Sequence, residues 1–393
     1  MRQQYEPSAD RIIALYQQLE DDILSAVIRR ILKMGYVSEA SKHQLGVLQA
    51  AGLLYDDIVQ LIADRTDACT AQVKALFEDA GVQTVEMDNS LHEAAGALPI
   101  DIRQDSSTRQ VLEAGYKKTL GTMQNLVSTT ATQTQTAFIQ TCDRIYMQVS
   151  SGAFSYQEAI MNALRALADT GATVSYPTGH TDRMDVAVRR CVLTGVSQTA
   201  AAVSLQQAED AGCYLMEITA HSGARPDHAK WQGQLVTITG KDAGKIIDGL
   251  RVFTLSEIGY GSGEGFKGWN CRHNWHAYYP GFSTPNYTPE ELKKLDEPCI
   301  SYNGKLYTEY EVSQMQRAQE RRVRAWKRRC ITAQESVNSA TDEATRATAQ
   351  AEFDRSARYL KNNEAKLKDF CRKTGQDRDR FREQVLGFNR STA

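Results

Sequence analysis

Proline is scarce in this 393-residue chain, with only 8 occurrences. So few helix breakers, set beside 41% hydrophobic and 24% charged residues, fit a folded and rather helical protein. No run of 18 or more apolar residues occurs, and the N-terminus lacks a charged-then-apolar signal pattern. Neither a membrane span nor Sec export is therefore expected, and the protein should begin life in the cytoplasm. Cysteine is thinly spread: Cys69, Cys142, Cys191, Cys213, Cys271, Cys299, Cys330 and Cys371 stand singly with no CxxC pair, as reduced thiols would. A phosphate-binding loop is excluded by context, since no strand precedes Gly261-Ser-Gly263 and no Gly-Lys-Ser/Thr follows it.

Net charge is −2, but it is unevenly placed. Residues 301–393 carry 20 Lys and Arg against 13 Asp and Glu, leaving the remainder at −9. An acidic body with a basic tail hints at a polyanion partner for the tail. Length favours two or three domains.

Apolar residues at Ile12, Leu15, Tyr16, Leu19, Ile23, Val27 and Ile31 follow the helical period. A second stripe at Val47, Ala51, Leu54, Ile58 and Leu61 makes a seam for a partner helix, within the chain or on another copy. The pattern breaks up from Val82 to Asp105, which reads as an irregular connection, and resumes at Val111. Ser128–Thr136 is either a polar helix surface or a hinge. Ser155-x-x-Glu158 is a capping box for a helix that stops at Gly171. No catalytic motif lies in these first 172 residues.

The character changes at residue 173. Tyr214–Ala220 and Leu235–Ile238 read as strands, Thr254-x-x-Glu257 as the start of a short helix, and Asn303-Gly304 as a hairpin turn. Thr308-x-x-Glu311 then opens a helix that runs with interruptions to about Phe370. Around Trp326 it holds Arg317, Arg321, Arg322, Arg324, Lys327, Arg328 and Arg329, with Glu320 as the only offsetting carboxylate. The expected fold is a predominantly helical α+β protein. Its parts are a helical portion (1–172), a small α+β domain (173–300), and a hairpin with a basic helical tail (301–393).

Between His221 and His276 lie four of the seven histidines and three of the four tryptophans. One reading of His221, Asp227, His228, Cys271, His273 and His276 is a zinc site, most compactly His228, Cys271 and His273. The spacing matches no standard zinc finger. The preferred reading is a polar mini-core in which Asp227 accepts from backbone N–H groups or an arginine such as Arg272. Trp231, Trp269 and Trp275 would then supply its apolar weight. Cys271 with His273 can be written as nucleophile and base, but no supporting catalytic context surrounds them, and no catalytic residue is assigned.

These residues carry a resemblance. Ala220-His-Ser-Gly-Ala-Arg-Pro-Asp-His-Ala-Lys-Trp-Gln-Gly233, then Gly259–Gly265 and Gly268-Trp-Asn-Cys-Arg-His273, look like the tailed-phage minor capsid protein 2 family, related to the Mu F-type head morphogenesis proteins. The resemblance covers most of the chain, most specifically 173–325. The family-motif positions are His221, Arg225, Asp227, His228, Trp231, Gly233, Gly268, Trp269, Cys271, Arg272 and His273. Mu F-type relatives often end this motif in Cys-x-Cys, where this chain has Cys271-Arg-His273.

The resemblance implies a low-copy, non-enzymatic virion protein in the phage head interior, associated with the portal and helping head assembly or genome delivery. Capsid or scaffolding protein are further expected partners. Two other readings stand beside it. One is a metal-dependent hydrolase or effector centred on the His/Cys cluster; the other is an accessory protein that binds DNA non-specifically through Arg321, Arg322, Arg324, Lys327, Arg328 and Arg329. No cofactor is expected unless zinc occupies the cluster.

Overall fold

A computed structural model of the protein describes residues 6–102, 104–385 and 387–388. Four helices come first: α1 (Glu6–Met34), α2 (Ala40–Ala94), α3 (Ser106–Ser150) and α4 (Tyr156–Thr170). The short strands β1 (Thr173–Ser175) and β2 (Thr181–Arg183) pair antiparallel and lead into α5 (Met184–Asp210). Strands β3 (Leu215–Ile218), β4 (Leu235–Thr237), β5 (Ile246–Ile247), β6 (Leu250–Thr254) and β7 (Trp275–Ala277) follow. The chain closes with α6 (Pro289–Leu295), the hairpin β8 (Ile300–Tyr302) and β9 (Lys305–Tyr307), then α7 (Glu309–Ser339) and α8 (Glu343–Thr374). This is the helix-dominated α+β fold that the sequence predicts.

Contacts divide the chain into two compact units, each drawn from three stretches of sequence. The first takes residues through Arg11, Thr70–Met123 and Arg189–Gln314; the second takes Ile12–Cys69, Gln124–Val188 and the chain from Met315 onward.

The first unit is organised on a five-stranded sheet of order β5-β6-β4-β3-β7, antiparallel throughout except where β4 runs parallel to β6. Strand alternation sends side chains to two buried faces. Met216, Ile218, Val236, Phe253, Trp275 and Ala277 pack with Ala201 and Ala208 of α5 and with Trp231, Phe266 and Cys271. On the opposite face Leu215, Leu235, Val252, Leu250 and Tyr278 form a second cluster. With both faces covered, the sheet is a rigid base for the loops that leave its strands.

In the second unit the buried stripe of α1 is the one its periodicity predicts, with Ile12, Tyr16, Leu19, Ile23, Val27 and Ile31 all in the core. Val47, Ala51, Leu54 and Ile58 of α2 are likewise buried, but Leu45, Leu48, Leu53 and Val59 are exposed on the same helix. Apolar residues on both sides give one 18-residue window of α2 the mean hydropathy of a membrane-crossing helix, by length and composition alone. Ser128–Thr136 is not a hinge but a helix segment with an exposed polar side at Ser128, Thr132 and Thr136. It lies inside α3, with Thr130 and Thr134 buried beside Ala131. Helix α4 carries the expected capping box from Ser155 and Glu158 and ends at Gly171, whose φ is 67°.

Two expectations need correction. The stretch from Val82 to Ala94 is helical, continuing α2. Its buried positions are Thr84, Val85, Asp88 and His92, so polar side chains occupy an inward face and the apolar period vanishes from the sequence. Thr254 and Glu257 do exchange the capping-box hydrogen bonds, at 2.7 and 3.2 Å, but only turns follow because Gly259, at φ 66°, ends the helix within its first turn.

Candidate functional site: a buried histidine and cysteine cluster

The cluster is assembled by three loops of the first unit. β3 delivers His221 at its exit, a run of turns from Arg225 to Gly233 carries His228 and Trp231, and residues 270–274 bring Cys271 and His273 back towards β7. Gly233 fixes the end of the second loop, its N–H donating to the Ile218 carbonyl at 3.0 Å. The glycine run that follows β6 is needed for close approach. A Cβ on Gly265 would stand 2.1 Å from the Gly259 carbonyl oxygen, and one on Gly263 would stand 2.7 Å from the Trp269 ring.

Trp231 and Trp275 are fully buried, as a mini-core requires, and Trp275 Nε1 donates to the Ala201 carbonyl at 3.2 Å. Trp269 departs from expectation. It is 52% exposed, covering Gly263 from outside with the Arg190 guanidinium 5.8 Å from its ring centre. Its Cβ-less neighbour lets the indole lie flat on the loop and not in the core.

His228, Cys271 and His273 are all buried, and one ligand atom from each lies within 4.8 Å of the others. Cys271 Sγ is 3.5 Å from His273 Nδ1. Gln232 sets the tautomer: its Oε1 accepts from the His221 backbone N–H at 3.3 Å and faces His273 Nε2 at 3.3 Å. An oxygen there requires a proton on Nε2, which leaves the Nδ1 lone pair directed at Cys271. His228 Nε2 and Arg225 Nη2 converge on the Glu264 carbonyl oxygen, the former at 2.9 Å. His228 stacks on Trp231 with ring centres 4.4 Å apart, and the His221 ring lies 4.4 Å from that of His273.

Burial dominates the electrostatics. Desolvation, reinforced by His221 and His228, drives His273 down to about 2, and burial likewise lowers His221 and His228. The Cys271 thiol is pushed up by burial. A nucleophilic Cys–His pair needs the reverse, a depressed thiol beside a histidine able to hold a proton. Neutral imidazoles are, however, the form that ligates metals.

Asp227 is exposed and lies 3.8 Å from Arg225 Nε, which makes it a rim residue. Arg272 is half-buried, and Gly268 gives its N–H to the Gly265 carbonyl at 3.0 Å. His276 does not join the cluster: with the Asn286 backbone N–H and Nδ2 it surrounds the buried Glu217 carboxylate at 2.8 to 3.3 Å. Glu217, a lone acid in an apolar strand, was a visible signal of such a site. Gln232 and the buried Lys267, whose Nζ donates to Ser197 Oγ at 3.1 Å, carried no such signal.

The basic helix lies in the second unit, and most of its run is engaged internally. Arg324 meets Asp185 at 3.4 Å, Arg329 takes Asp169 with two bonds of 2.6 and 2.8 Å, and Lys327 donates to the Glu383 carbonyl at 2.9 Å. Arg328 is buried, and desolvation lowers it to about 10. Arg321 and Arg322 are the exposed members of the six.

Comparison with known proteins now identifies the lineage. A structural protein of Lactococcus phage LL-H is 24% identical over 343 residues, which cover 84% of this chain and 88% of the relative. A structural protein of Lactococcus phage mv4 is 36% identical over 86 residues, 22% of this chain and 61% of the relative. No solved structure matches. The family described as phage minor capsid protein 2 matches residues 2–372, nearly the whole chain, and the protein belongs to that family.

Proposed function

We propose that the protein is a low-copy structural component of the phage head, associated with the portal inside the procapsid and assisting head assembly or genome packaging and delivery. The family match over residues 2–372 carries this reading. It is a non-enzymatic role, and the buried cluster fits it, because shifts that silence Cys271 and His273 as nucleophile and base suit a residue set that shapes a fold. The exposed apolar side of α2, with Leu45, Leu48, Leu53 and Val59, supplies a surface on which the portal protein would dock. Non-specific contact with packaged DNA would fall to Arg321 and Arg322.

Co-expression with the portal protein of the same phage tests the reading. The two should co-purify, and Leu45→Glu with Leu48→Glu should abolish the association while leaving the fold intact. Failure of the wild-type protein to co-purify, or normal heads after deletion of its gene, overturns it.

A further inference from the structure

The geometry points to a structural zinc site in which Cys271 and His273 are joined by His228 and His221, locking the three loops of the mini-core to one another. Three features support it. First, the Cys271 Sγ to His273 Nδ1 distance of 3.5 Å is the separation of sulfur and nitrogen on one tetrahedral zinc, about 3.6 Å for bonds of ~2.3 and ~2.05 Å. Second, each histidine has one ring nitrogen committed to a backbone or amide oxygen. His221 Nδ1 donates to the Ser222 carbonyl at 2.9 Å, His228 Nε2 to that of Glu264 at 2.9 Å, and His273 Nε2 to Gln232 Oε1 at 3.3 Å. This outer ring of acceptors is how ligating imidazoles are normally oriented.

Third, His221 Nε2 is buried and has no hydrogen-bond partner. A buried acceptor left unpaired is costly. His221 lies outside the trio whose ligand atoms fall within 4.8 Å of one another, and its ring, 4.4 Å from that of His273, would move in for a cation at the cluster to satisfy it. The 4.8 Å spread among His228, Cys271 and His273 is wider than the roughly 3.3–3.8 Å between ligand atoms of a closed tetrahedral site, so binding would have to draw these atoms together. Binding would expel the Cys271 proton to solvent and leave a thiolate. Four protein ligands leave no open coordination position, which makes the metal structural and not catalytic.

The test uses the full-length protein. After equilibration with one equivalent of zinc and exhaustive dialysis, elemental analysis should find one zinc per chain. Cobalt substitution should give intense visible d–d bands of a tetrahedral ion and a near-ultraviolet thiolate charge-transfer band. Cys271→Ser should lose the charge-transfer band, His221→Ala should weaken affinity by at least about 10-fold, and Cys299→Ser, at an exposed cysteine, should change neither. Wild-type protein that retains no zinc, or a cobalt spectrum without the thiolate band, overturns the proposal without recourse to any variant. So does a folded Cys271→Ser protein that binds as the wild type does.

Discussion

Ser204 Oγ donates to Asp88 Oδ2 at 2.5 Å, and both side chains are buried. This pair lets a carboxyl group occupy the inward face of α2, where a single hydroxyl meets a group that solvent would otherwise satisfy. Burial raises Asp88 from 3.8 to about 6, opposed by the Ser204 hydrogen bond and by His276 and Lys267. Its folded pKa lies above its unfolded one, so the protonated acid stabilises the fold below about pH 4, and that contribution is lost as pH rises through about 6.

Asp88→Asn should therefore gain stability relative to wild type as pH rises. The two proteins should match near pH 4, and the variant should lead at pH 7 by up to about 3 kcal/mol, the equivalent of the shift. Denaturation midpoints measured at both pH values check this. A difference between the proteins that does not vary with pH would sink it. Asp21 in the second unit, also raised to about 6 by burial, should leave a residual pH dependence of the same sign in the variant.

The arginine run divides by what each side chain touches. Arg329→Gln removes the two-bond ion pair with Asp169, and because that carboxylate is 46% exposed the cost should stay within about 0.5–1 kcal/mol. Arg321→Gln with Arg322→Gln should change stability by less than about 0.5 kcal/mol. If these two reach DNA phosphates, the slope of log affinity against log salt should fall by about 2. Titration of duplex DNA at several salt concentrations reads this directly, and an unchanged slope removes the DNA contact.

Local chemistry was legible in the sequence wherever one short stretch decides the outcome. The capping boxes at Ser155 and Thr308 form as written. Asn303 and Gly304 adopt the positive φ values of 50° and 78° that a tight hairpin turn needs. What escaped depends on partners distant in sequence. The helical face at Asp88 and His92 is polar because Ser204 and Tyr279 receive it. β7 is three residues long and is defined by pairing with β3, not by its own pattern. Within the candidate site the residue types were visible, but the Gln232 amide that sets the His273 tautomer was not, since a glutamine carries no motif. Which cations of the basic run are engaged internally was likewise illegible, because Asp169, Asp185 and the Glu383 carbonyl lie 160, 139 and 56 residues from their partners.

The last expectation concerns the loop beneath Trp269. Gly240 and Gly265 are both glycines of the first unit, but their surroundings differ. Gly240 has φ 82° and open space where a Cβ would go, whereas a Cβ on Gly265 meets the Gly259 carbonyl oxygen at 2.1 Å. Gly240→Ala should cost only the left-handed backbone penalty, roughly 1 kcal/mol. Gly265→Ala must move one backbone segment off another, and should cost several times as much, on the order of 2–4 kcal/mol. The displacement would also carry the neighbouring Glu264 carbonyl away from His228 and Arg225. Gly265→Ala should thus loosen the His228 ring as well as lower the melting temperature, and Gly240→Ala should do neither to the same degree. Equal melting temperatures for the two variants would show that the loop yields, and that its glycines are not there for close approach.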